Sequence, residues 1–107
     1  MTDSAPRTAA LADVRAERAR QDELWGEQNH VDGTGMKRHQ EALEATRDIT
    51  DRSAEVGTLT WAEILSEEVA EALAEHDPVK LRAELIQVAA VAVAWVEAID
   101  RRTNGRR

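Results

Sequence analysis

Glu67, Glu68 and Glu71 fall within five residues, and after a spacer of twelve residues Glu84 and Gln87 follow, so the chain reads EExxE, spacer, ExxQ. On a helix turning about 100° per residue, Glu67 and Glu71 stack one turn apart. Glu68 lies toward the apolar side formed by Trp61, Leu65, Val69 and Ala72. Like charges at that spacing weaken an isolated helix by about 0.2–0.5 kcal/mol per pair, and burying them costs far more unless a positive partner joins them. A hard divalent cation is the natural partner, because Mg²⁺ prefers carboxylate and water oxygens and also binds phosphates. The chemistry these residues suit is a divalent-metal site that handles phosphate. The competing reading is a solvated acidic face on an amphipathic helix.

The elements that must position these groups are helices. Thr60 to Glu63 has the Thr-x-x-Glu spacing of a capping box, so a helix is predicted to start near Trp61. It should stop near His76, because Pro78 disfavours helical geometry at Asp77, which can cap a next helix predicted over 78–102. A short connection makes the two helices antiparallel, and Glu84 can then complete the acidic site. Gln87, one turn on, is the single polar side chain between Leu85 and Val96. That run is apolar on every face of its helix, and such a helix must be buried on all sides. Its burial predicts a homodimer or higher assembly with this helix at the centre. Upstream, a first helix is predicted over 8–28, with Leu11, Val14, Gln21, Leu24 and Trp25 near one stripe, and a second over 36–53, with Met36, Leu43 and Ile49. The segment between them carries Asp32-Gly33 and Gly35, which break regular structure. Residues 1–7 are expected to be a flexible lead-in, 8–102 a single all-α domain, and 103–107 a basic flexible tail.

Taken together, EExxE, the spacer and ExxQ resemble the MazG-like all-α nucleoside triphosphate pyrophosphohydrolases, whose signature is EExxE, a variable spacer and ExxD. Gln87 stands where that family has an aspartate. The resemblance covers residues 60–100 and, less specifically, Gln21-Asp-Glu-Leu-Trp-Gly-Glu-Gln28 in the first helix. It implies a four-helix, bundle-like fold assembled as a dimer or tetramer. It also implies Mg²⁺-dependent (or Mn²⁺-dependent) attack of water between the α and β phosphates of a nucleoside triphosphate, giving a monophosphate and pyrophosphate. By matching positions, Glu67, Glu68, Glu71 and Glu84 would be metal ligands with Gln87 beside them, and Glu67 or Glu68 would act in catalysis. Gln21, Trp25, Gln28 and the nearby His30 would face the substrate. The loss of one acid at Gln87 leaves a second reading, a degenerate nucleotide-binding or helical interaction protein.

Composition excludes several other classes. The 107 residues allow one modest core, built from Ala, Val, Leu and Ile because the aromatics are three Trp with no Phe or Tyr. The formal charge of −7, from 14 basic and 21 acidic residues, argues against a broad nucleic-acid surface. With no cysteine, disulfides, thiolate metal sites and cysteine nucleophiles are absent, which fits the cytoplasm. No apolar segment reaches the ~20 residues a membrane span needs. Glu27-x-x-His30 has di-iron spacing, but such bundles need two of these motifs, and neither His39 nor His76 supplies the second. Gly33 and Gly35 are not followed by the Lys-Ser/Thr of a phosphate-binding loop.

Overall fold

The computed structural model describes residues 2–104. Four helices occupy most of them, α1 (Ala5–Trp25), α2 (Lys37–Glu55), α3 (Trp61–Ala74) and α4 (Pro78–Asn104), with no strand among the described residues. The all-α class is thus as the sequence predicts. None of the four is long and apolar enough to cross a membrane.

The helix ends follow local chemistry. α1 starts at Ala5, earlier than the expected residue 8, because the Ser4 hydroxyl accepts the Arg7 N–H at 3.3 Å and Pro6 suits the first turn. The predicted lead-in over 1–7 is therefore helical from Ala5 onward. α1 ends at Trp25, three residues short of expectation, because Gly26 adopts φ 64° and closes the last turn through its N–H to the Asp22 carbonyl. Thr60 and Glu63 form the predicted capping box, with the Thr60 N–H donating to Glu63 Oε1 at 3.0 Å. Glu63 also accepts from the Ser53 hydroxyl, tying the end of α2 to the start of α3. Asp77 caps α4 as predicted, accepting the Lys80 N–H at 3.0 Å. α4 runs to Asn104, where the Thr103 hydroxyl donates back to the Ile99 carbonyl. Of the predicted basic tail, Gly105, Arg106 and Arg107 lie outside the described residues, as does Met1.

The chain divides into two units. One spans Asp32–Ala92 and holds α2, α3 and the first half of α4. In it α2 packs along α3, with Leu43, Ala70 and Ala74 forming the buried contact. Alanines on the α3 face let the two backbones approach closely, and the Gln40 amide reaches the Ala74 carbonyl at 2.8 Å. The loop before α2 is pinned to the end of α3 by the Gly35 N–H, which donates to the Leu73 carbonyl at 2.8 Å. Gly35 sits at φ +79°, and a Cβ there would lie 2.5 Å from His76 Cβ, so only glycine fits.

The other unit combines the segment up to Val31 with that from Val93 onward. Its contacts include the ion pair of Arg7 with the buried Glu97 at 3.3 Å and the nearly complete burial of Ala10. Ala10, Val14 and Val96 line one shallow apolar recess of this unit. The stripe predicted for α1 is less covered than expected: Leu11, Val14, Leu24 and Trp25 are all exposed, and Ala10 takes the buried position.

Candidate metal site

Within the Asp32–Ala92 unit, α3 and the first turns of α4 bring three carboxylates together. One oxygen each from Glu68, Glu71 and Glu84 lies within 4.8 Å of the other two, a group that can hold a metal ion. The turn at Glu75–Asp77 makes this possible. It closes through the Asp77 N–H to Glu75 Oε1 and returns the chain so that Glu84 faces the α3 acids.

All three residues of the group are half-buried. One oxygen of Glu68 and one of Glu84, Oε2 in each case, is shielded from solvent and has no hydrogen-bond partner. An unpaired buried carboxylate oxygen is costly, and its charged form is disfavoured. Accordingly, burial and then the charges of Glu71, Glu84 and Glu67 hold the Glu68 carboxyl above its usual range. Glu84 is raised by burial and by the Glu71 charge, and when protonated it can share that proton with Glu71; Glu75 adds repulsion. The oxygens that lack a donor in the ionised state are those a cation would satisfy, so the donor set fits a hard divalent ion.

Glu67 is not in the group of three. It lies on the same helix, and its carboxyl is raised by burial, by Glu71 and by Asp51 of α2. Gln87 is exposed. Two α2 residues that the sequence reading did not single out face this region. Arg47 Nη2 lies 3.6 Å from Glu71 Oε1, and its charge partly offsets the repulsion at Glu67 and Glu84. Asp51 sits one helical turn further along, near Glu67. Leu43, buried against α3, followed by Arg47 and Asp51 at four-residue steps, is the periodic signal that would have placed both on the inner face of α2.

The expected substrate residues belong to the other unit. Gln21 and Gln28 line one open polar recess of about 650 Å³ with Arg18, Asp22, Gly26 and Glu27. Gln21 Oε1 there accepts from Arg18 at 2.9 Å. Trp25, 60 % exposed, and His30, also exposed, are not in that lining. No protein-family model, no curated protein and no solved structure matches the chain.

Proposed function

We propose that the chain is a Mg²⁺-dependent nucleoside triphosphate pyrophosphohydrolase of the MazG-like type, acting in the cytoplasm and able to use Mn²⁺. The observation that carries this reading is the convergence of Glu68, Glu71 and Glu84 from two helices, with two shielded oxygens left without a donor. A merely solubilising acidic face would leave its carboxylates in water, at their ordinary acidity and in no need of a partner. When bound, the cation would supply neutralisation of phosphate charge and a more acidic water. Glu68, Glu71 and Glu84 would hold it. Glu67, outside the group and with a carboxyl made more basic by its surroundings, is the residue proposed to take the proton from the attacking water. Water adds across the α–β anhydride, and a nucleoside monophosphate and pyrophosphate leave. Gln87 offers an amide oxygen without charge, so the site should hold its cation more weakly than one with an acid there. Gln21, Trp25, Gln28 and His30 are kept as proposed nucleotide contacts on the strength of the family resemblance alone.

An assembly of two or four copies belongs to the same proposal. Leu85 and Ile86 of the apolar α4 are 50 % and 56 % exposed, and no large side chain is completely buried among the described residues. A core of this kind, mostly alanine, needs further burial to offset chain entropy. Sedimentation of the native chain as a monomer would overturn that part.

The test of function is pyrophosphate release from a panel of nucleoside and deoxynucleoside triphosphates with Mg²⁺ or Mn²⁺. Release by the native chain and its loss in Glu68→Gln is the expected result. The missing acid at Gln87 favours a second reading, a degenerate nucleotide-binding protein. Release from Gln87→Asp but not from the native chain would select it, and silence from both would leave a helical interaction protein.

A further inference from the structure

Arg47 is the cation whose charge reaches the acidic group from α2. Its guanidinium approaches Glu71 at 3.6 Å, beyond hydrogen-bonding distance, and offsets the repulsion felt by Glu67 and Glu84. The Arg47 side chain is 51 % exposed, whereas that of Glu71 is 24 % exposed. The contact is therefore loose on the arginine side. It differs from the pairs on α1, where Arg18 meets Asp22 at 2.9 Å and Arg20 meets Glu17 at 2.5 Å, each within hydrogen-bonding reach. One guanidinium at the edge cannot satisfy three converging carboxylates, and Glu68 Oε2 and Glu84 Oε2 stay without a donor despite it.

We infer that Arg47 is the resident counter-cation of the acidic site: it partly neutralises Glu71, Glu67 and Glu84 in the ion-free protein and opposes entry of a divalent ion, so that it sets the ion concentration at which the site fills. This rests on the metal-site reading above. A guanidinium beside a carboxylate group repels a divalent cation at the same oxygens, and its long, half-exposed side chain lets it turn to water once the ion is bound. The loose pairing is what allows the exchange. A short bidentate pair would lock the site against the ion.

The experiment is calorimetric titration of Mn²⁺ into the native chain, Arg47→Gln and Arg47→Lys, at low and at high salt, with helical content checked by circular dichroism. Arg47→Gln should bind Mn²⁺ roughly tenfold more tightly at low salt, with the difference shrinking at high salt as screening weakens the repulsion. Arg47→Lys keeps the charge and should bind as the native chain does, a rescue that a packing role for the guanidinium would not produce. Equal Mn²⁺ affinity in the native chain and Arg47→Gln would overturn the assignment of Arg47 and leave the metal site standing. Arg47→Lys binding as tightly as Arg47→Gln would also overturn it. Absence of Mn²⁺ binding in all three proteins would remove both the assignment and the metal-site reading beneath it.

Discussion

The chain handles its carboxylates in two ways. On α1, Glu17 pairs with Arg20 and Asp22 with Arg18 at helical spacing in full contact with water, and the Arg20 hydrogen bond holds the Glu17 carboxyl below its usual range. At the start of α3, Glu63 is likewise lowered, by hydrogen bonds from Ser53 and Thr60. About one turn further along α3 and in the first turns of α4, Glu67, Glu68 and Glu84 are all raised, by burial first and by nearby carboxylates second. The same side chain is settled by hydrogen-bond donors within reach in the first case and left among like charges without a donor in the second. Acids with local partners are explained by helix chemistry. Acids that converge from different helices without a donor ask for something from outside the chain.

The largest expected effect that separates the two sets is on turnover. Glu68→Gln should reduce pyrophosphate release by about 10²-fold or more, as loss of a group that holds the catalytic cation does. Glu17→Gln should leave it unchanged. Equal losses would erase the distinction.

Next in size is stabilisation by the ion. At a hundredfold excess over Kd, Mn²⁺ or Mg²⁺ should raise the Tm by about 10 °C or more for a chain of this length, since one site then contributes about 2.7 kcal/mol. The double change Glu68→Gln with Glu84→Gln should abolish the shift in a thermal melt. Persistence of the shift would place the ion elsewhere.

A smaller effect is expected from pH in the metal-free protein. Glu67, Glu68 and Glu84 titrate from an ordinary value of 4.5 to higher folded values. Between those limits the folded state holds more protons than the unfolded one, so stability falls as pH rises through the window above 4.5. The Tm with a chelator present should thus decline as the pH is raised above 4.5. Glu68→Gln with Glu84→Gln should flatten that decline and raise the Tm at the upper end. Saturating Mn²⁺ should reverse it, because the ion competes with protons for the same oxygens. A metal-free profile that rises with pH over this range would contradict the raised carboxyls. The smallest effect is that of Glu17→Gln, which should leave both the Mn²⁺ shift and the pH slope as they are in the native chain.

Much of the fold was legible residue by residue. The Thr60–Glu63 box and the Asp77-Pro78 junction each act within one helical turn, and a signal of that range is complete in the local sequence; the stop at Gly26 is not anticipated, since the first helix is predicted to run to residue 28. α1 starts three residues before the expected residue 8 because Ser4 and Pro6, polar and helix-breaking by composition, here serve as a cap and a first-turn residue. The candidate site was legible in part. EExxE and Glu84 form a pattern in the sequence itself, but Arg47 and Asp51 lie on a helix of low apolar content whose inner face is defined only by the packing of Leu43 against Ala70 and Ala74.

The amino-acid sequence alone was enough to establish the all-α class, the turns that separate the helices and the acidic character of the α3–α4 pair, because capping, proline geometry and periodicity operate over a few residues. Which acids converge was settled in three dimensions: Glu68, Glu71 and Glu84 within 4.8 Å, Glu67 outside that group, Gln87 exposed and Arg47 at the edge. Distances between side chains on different helices depend on how close the backbones come and how each helix is rotated. The alanines between α2 and α3 set that approach, and no spacing along a single chain encodes it.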